Sequence, residues 1–129
     1  MKFFFDATFS EQIPEILAKL GVDTAHLKQH FPQGTDDPTW LPWLASKGWT
    51  LVSGDIAIAE KRGKPEYQIL REAKIISVFF HKGFTRFDRW EQTWKCIKWW
   101  PQIQKMVETG CSLGDIIRVT ANGKPEKSK

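Results

Sequence analysis

The sequence predicts an α/β fold, a three-layer α/β/α arrangement in which helices cover both faces of a central, mainly parallel sheet. Short apolar segments alternate along the chain with segments whose apolar residues recur at helical spacing. Residues 75–80 are apolar without alternation, which is typical of a strand buried on both faces. Because right-handed crossovers place helices on the faces of a parallel sheet, this order favours a layered domain.

The first half of the chain is predicted to form a strand, a helix, a second strand, a second helix and a third strand. A strand over 2–5 precedes a helix over 10–20, which a capping box of Thr8 and Glu11 would open. A second strand is predicted over 22–27. The next helix begins at Pro38, with an aspartate as its cap, and ends before a third strand over 49–53.

The second half continues the alternation and ends in a polar tail. The sequence there predicts a helix over 65–73, a central strand over 75–80, and a helix over 87–108 that Pro101 must kink or divide. A final strand is predicted over 115–120. The length of 129 residues suits one domain, which we place at 1–121, followed by a flexible C-terminal tail at 122–129.

Composition narrows the classes of protein to which the chain can belong. Hydrophobic residues make up 41% and charged residues 26%, close to the average of globular domains, and no apolar run approaches the roughly 20 residues of a membrane helix. Cys96 and Cys111 lack both the paired spacing of a zinc site and the density of a disulfide scaffold, so we expect a reduced, cytoplasmic setting. The net charge of +4 is compatible with a polyanionic partner.

Three aspartates stand where an open parallel sheet binds its ligands, outside the carboxyl ends of its strands. Asp6 and Asp55 follow predicted strands, and Asp37 opens the helix that leads to the third strand. Two carboxylates 4 Å apart repel each other by about 4 kcal/mol at an effective dielectric near 20. A divalent cation such as Mg²⁺ or Mn²⁺ would remove this repulsion, activate a water and stabilise the leaving oxygen of a phosphodiester.

The same segments carry a family resemblance. The order Phe3-Phe4-Phe5-Asp6, then Asp37 ahead of a Trp/Leu/Ala helix, then Leu51-Val52-Ser53-Gly54-Asp55 resembles the PIN-like domains grouped with VapC-type toxins, from residue 2 to about 80. The resemblance implies a PIN-like fold and an endoribonuclease that uses Mg²⁺ or Mn²⁺ and is often silenced by an antitoxin protein. It also implies that the catalytic and metal-binding cluster consists of Asp6, Asp37 and Asp55, with the hydroxyl of Ser53 at the same edge.

The chain departs from the family pattern at the fourth acid. Related sequences carry a further acid close behind the third, whereas residues 56–59 contain none. Glu66, at the start of the following helix, is the substitute candidate for a metal ligand. Contacts to the phosphates of an RNA substrate are expected from nearby basic residues, namely Lys61, Arg62, Lys64 and Lys82.

Other interpretations of these residues remain open. The aspartates could be turn and capping residues, as in a PIN-like fold used only as a binding module with vestigial acids. A receiver-like phosphotransfer domain would also place an aspartate after its third strand, but it needs an acidic pair after the first, and here Asp6 is followed by Ala7. The stripe of Trp90, Trp94 and Ile97 indicates core, or a face covered by an antitoxin or by a second copy in a homodimer.

Overall fold

Six strands form one sheet in the computed structural model, which describes residues 1–128. The strands are β1 (Phe3–Phe5), β2 (Thr24–His26), β3 (Thr50–Ser53), β4 (Ser77–Phe80), β5 (Ile116–Val119) and β6 (Pro125–Lys127). Their order is β2-β1-β3-β4-β5-β6, with β1 to β5 parallel and β6 antiparallel to β5. The mainly parallel sheet expected from the sequence is confirmed.

Within residues 1–128, five helices connect the strands. They are α1 (Gln12–Lys19), α2 (Asp37–Lys47), α3 (Ala57–Glu60), α4 (Pro65–Ala73) and α5 (Arg89–Gly110), with short 3₁₀ turns at Leu27–Gln29 and Phe84–Arg86. Among residues 1–128, no helix combines the length and the apolar character that a membrane span requires.

Two apolar layers fix the helices to the sheet. Alternation along β1 directs Phe3 and Phe5 to one face, where they pack with α1 and α5, and Phe4 to the other, where it packs with α2 and α4. All three phenylalanines are buried, and each such burial contributes roughly 1.5–3 kcal/mol. The three-layer α/β/α architecture is therefore confirmed.

The start of α1 differs from the prediction. The N-cap is Glu11, which makes no side-chain capping bond, and the hydroxyl of Thr8 instead contacts Asp6 and the backbone N–H of Gly54. The helix ends at Lys19, one residue before the predicted end, and Leu20, the last residue of the predicted helix, is 65% exposed. The predicted capping box is wrong because a contact across the sheet takes the threonine hydroxyl.

The long helix α5 is not divided at Pro101. Proline removes one amide donor from a helix and costs roughly 3 kcal/mol in its interior. Pro101 itself is exposed. Trp100 before it and Ile103 after it are buried in the core and hold the helix against the sheet on either side of this defect.

Residues 125–127 form β6 where the sequence predicts a flexible tail. The register pairs Val119 with Pro125 and Ile117 with Lys127. The preceding turn contains Gly123, which has φ +83° and lies so close to Trp99 that a Cβ there would be 2.3 Å from the indole. Lys129, the last residue of the predicted tail, lies outside the described residues.

Candidate active site

The strand order places a topological switch point at β1. The chain passes from β1 to β2 on one side and later returns to β3 on the other, so the carboxyl ends of β1 and β3 open a crevice between them. Asp6 directly follows β1, and Asp55 follows β3 by two residues. Asp37 is the first residue of α2.

Asp6 is a buried carboxylate that both neighbouring strand ends hold in place. Its Oδ1 accepts hydrogen bonds from the backbone N–H of Thr8, at 3.0 Å, and from the Thr8 hydroxyl, while Oδ2 accepts one from the Ser53 hydroxyl. Burial raises the pKa of Asp6 to about 6; the hydrogen bonds from Ser53 and Thr8 oppose this rise, and the charge of Asp55 adds to it.

The hydroxyls of Thr8 and Ser53 form what we call the hydroxyl clamp. Besides donating to Asp6, the Thr8 oxygen accepts from the N–H of Gly54 at 2.7 Å, and the Ser53 oxygen accepts from the N–H of Asp55 at 2.9 Å. The clamp therefore ties the end of β1 to the turn after β3. Gly54 leaves room for it, because a Cβ there would be 3.3 Å from the Thr8 hydroxyl and 2.6 Å from Thr85.

Asp37 lies among three other carboxylates. Its pKa is raised to about 6, first by burial and then by the negative charges of Asp6, Glu66 and Asp55. Asp37, Asp55 and Glu66 line one cavity of about 160 Å³, which Asp6 does not line. Oε2 of Glu66 is buried and has no hydrogen-bond partner in the described part of the chain. We call this space the carboxylate cavity.

The basic residues predicted to bind RNA fall into two groups. Lys61 and Lys64 line the carboxylate cavity, and within residues 1–128 neither forms an ion pair with a carboxylate. Arg62 is exposed between them and does not line the cavity. Lys82 follows β4 and lies at a different cleft, beside Arg118.

The arrangement does not form a complete metal centre. Among the described residues, no group of three or more His, Cys, Asp or Glu side chains is placed to hold an ion. The chemistry of the donors nevertheless fits a hard cation, because a positive ion would reduce the repulsion among the four carboxylates and could bind the Glu66 oxygen that lacks a hydrogen-bond partner. Mg²⁺ usually keeps several waters and takes only one or two protein carboxylates directly.

Sequence reasoning missed Thr8 and Gly54 as parts of the site. The available signal was the spacing, since a hydroxyl residue two positions after Asp6 can reach its carboxylate through a local turn. The contact between Thr8 and Gly54 joins residues 46 positions apart and carries no local signal.

Comparison with known proteins gives one match. A family model described as a PIN like domain matches residues 1–82, which is more than half of the chain. Neither the curated proteins nor the solved structures gave a significant match. PIN-like domains are generally nucleases, and the matched range contains the hydroxyl clamp and all residues of the carboxylate cavity. The chain belongs to the PIN-like domain family.

Proposed function

We propose that this protein is a metal-dependent endoribonuclease that hydrolyses RNA phosphodiester bonds with Mg²⁺ or Mn²⁺. The observation that carries the proposal is the carboxylate cavity at the switch point of a PIN-like fold, where Asp37 shares its surroundings with Asp6, Asp55 and Glu66. Asp6, Asp37 and Asp55 are the proposed ligands, and Glu66 is the proposed fourth acid.

The residues of the chain have separate tasks in this proposal. Ser53 and Thr8 orient the Asp6 carboxylate, and Lys61 and Lys64 attract the phosphate backbone to the cavity. The pKa values of Asp6 and Asp37, about 6, leave both carboxyls mostly ionised at neutral pH and available as ligands. A bound divalent cation supplies an activated water and neutralises charge on the phosphate.

The biological setting is proposed from the family resemblance. VapC-type toxins are paired with an antitoxin, and we propose the same kind of protein partner and a cytoplasmic location for this chain. Trp90 and Trp94, which are 85% and 52% exposed on α5, offer an apolar face for an antitoxin or for a second copy in a homodimer.

The direct test is cleavage of single-stranded RNA with added Mn²⁺ or Mg²⁺. We expect the native chain to cut RNA and Asp37→Asn to lose more than about 100-fold of the activity, because loss of a ligand weakens metal binding. Asp6→Asn and Asp55→Asn should behave in the same way. Asp36→Asn is the matched control, since the neighbouring Asp36 is exposed and does not line the cavity.

Two results would rule out this mechanism. One is equal activity of the native chain and of all three ligand variants. The other is cleavage that a metal chelator leaves unchanged.

A non-catalytic binding module is the second candidate function. In its favour, no three His, Cys, Asp or Glu side chains among the described residues are placed so that they could share one metal ion. RNA binding without cleavage, together with no heat of Mn²⁺ binding by calorimetry, would support this module in place of the enzyme.

A receiver-like phosphotransfer domain would share the strand order β2-β1-β3-β4-β5. The present chain lacks the acidic pair that a receiver carries after its first strand, because Ala7 follows Asp6. Phosphorylation of Asp55 by a small phosphodonor would favour this third interpretation.

A further inference from the structure

A second cleft opens at the carboxyl ends of β4 and β5. Its volume is about 280 Å³. Its apolar lining includes the half-buried Ile56, next to the ends of β4 and β5, where the side chains of Phe79, Phe80 and Val119 are fully buried. Polar side chains line its rim, namely Glu60, His81, Lys82, Arg118, Thr120 and Glu126. We call this space the β4–β5 cleft.

Helix α3 is the wall between the β4–β5 cleft and the carboxylate cavity. Ala57 and Ile58 line the carboxylate cavity, whereas Ile56 and Glu60 line the β4–β5 cleft. A helix with its side chains is roughly 10–12 Å across, so the two spaces lie about one helix diameter apart. An RNA strand crossing the strand ends would meet both.

The two basic groups of the cleft, Lys82 and Arg118, can bind an anion. Lys82 is exposed and forms no ion pair with a carboxylate of residues 1–128. Arg118 donates from Nε to the Ser128 hydroxyl at 3.2 Å and pairs through Nη1 with Glu60 at 3.5 Å. The side chains of Arg118 and Glu60 are 41% and 47% exposed, and such surface pairs contribute only about 0–1 kcal/mol. A phosphate can therefore displace Glu60.

We propose that the β4–β5 cleft binds one nucleotide of the RNA strand, beside the phosphodiester at the carboxylate cavity. The nucleoside packs against Ile56 of the lining, and Arg118 and Lys82 hold its phosphate. The volume is just below the range for drug-sized ligand sites, which suits a single nucleoside and excludes a folded RNA element. This inference rests on the proposed function, because it assigns a subsite for the same substrate.

The test uses the full chain with chelator present and measures binding of AMP, CMP, GMP and UMP by NMR. We expect the backbone amide signals of Lys82, Arg118 and Thr120 to shift. Arg118→Gln should weaken binding at least about tenfold, as expected for a lost charge-assisted hydrogen bond. Lys82→Gln should also weaken it. Lys124→Gln is the matched control, because Lys124 is exposed and does not line the cleft.

Glu60→Gln gives a prediction of opposite sign. This change releases Arg118 from its ion pair and removes a negative charge from the rim, so nucleotide binding should tighten about threefold. A variant that merely disturbed the fold would not tighten binding. Unchanged or weaker binding by Glu60→Gln would overturn the role given to Arg118.

Three further outcomes separate this inference from the proposed function. Inorganic phosphate that binds as tightly as the nucleotides would overturn the nucleoside subsite. An active, metal-dependent nuclease whose nucleotide shifts surround only Asp37 and Glu66 would keep the function and overturn the inference. Nucleotide binding in the cleft without any RNA cleavage would support the inference and contradict the enzyme.

Discussion

Thr8 is the residue on which the geometry of the candidate site depends most. Its hydroxyl donates to Asp6 and accepts from the N–H of Gly54, so it satisfies polar groups from two strand ends at once. Thr8→Val keeps the shape and removes both bonds. We expect a loss of about 2–3 kcal/mol in the free energy of unfolding, because the buried Asp6 carboxylate loses one of its three donors and the N–H of Gly54 loses its acceptor.

Urea denaturation of the native chain and of Thr8→Val measures this loss. Thr109→Val is the matched control, since the exposed Thr109 hydroxyl donates only to a carbonyl of its own helix, and its change should stay within about 0.5 kcal/mol. Losses of equal size in the two variants would show that the hydroxyl clamp has no special role.

Asp6 should make the stability of the metal-free protein depend on pH. Its pKa rises from 3.8 to about 6 on folding, so between these values the native state holds a proton that the unfolded state releases. The stability linked to this group is complete below pH 3.8 and is lost as the pH rises through about 6. A shift of this size corresponds to about 3 kcal/mol.

Denaturation at pH 4 and pH 7, with chelator present, compares the native chain with Asp6→Asn. The amide does not ionise. The free energy of unfolding of the variant, relative to that of the native chain, should therefore be higher at pH 7 than at pH 4. Asp23→Asn, at an exposed position, controls for general charge effects. A difference between Asp6→Asn and the native chain that is the same at both pH values would contradict the raised pKa.

At this scale, the sequence predicts which residues meet but not how their side chains bond. Asp6 and Asp55 could be placed because both follow apolar strands whose ends must share an edge. Thr8 has the local sequence pattern of a helix cap. Its hydrogen-bond donor, the N–H of Gly54, comes close to it only when β3 pairs with β1. Long-range contacts of this kind decide side-chain geometry and leave no trace in local spacing.

At the scale of elements, apolar periodicity and boundary residues such as proline explain which helices and strands could be predicted. The helix predicted over 65–73 matches α4, because Pro65 marks its first position and the strand signal after it is strong. Helix α3 has four residues, which is too short to show a helical period. Strand β6 is a polar edge strand with two of its three residues exposed, so it lacks an apolar pattern.

The internal proline of α5 gives a prediction at this scale. Because α5 runs on through Pro101, an alanine there can restore the missing amide donor without moving the helix. We expect Pro101→Ala to raise the free energy of unfolding by at least about 1 kcal/mol, measured by thermal denaturation. Pro65→Ala, in the first turn of α4, should bring no gain, since proline is well tolerated there. A gain of equal size from Pro65→Ala would contradict the explanation.

For the whole molecule, the family match covers residues 1–82, and the remaining residues complete both the sheet and one helical layer. Helix α5 covers the face of β1 through Trp100, which packs edge-on against Phe3 with ring centres 5.0 Å apart. Strands β5 and β6 extend the sheet beyond β4. The candidate site therefore belongs to the matched part, while much of one layer of the core is supplied by the part outside it.

Strand β6 closes the sheet at the edge of β5, and its removal should affect the entire protein. A chain ending at Ala121 loses the pairing of three residues and the turn that packs on Trp99. Net hydrogen bonds contribute about 0.5–1.5 kcal/mol each, so we expect a loss of about 2–4 kcal/mol in the free energy of unfolding.

The truncated chain should also associate as its concentration rises, because the open edge of β5 can pair with another strand. Light scattering and urea denaturation measure the two effects. The double variant Glu126→Gln and Lys127→Gln is the control, because it keeps the backbone of β6 and changes only two exposed side chains. If this variant associates as strongly as the truncated chain, the charges of β6 protect the protein from association, and covering the edge of β5 does not.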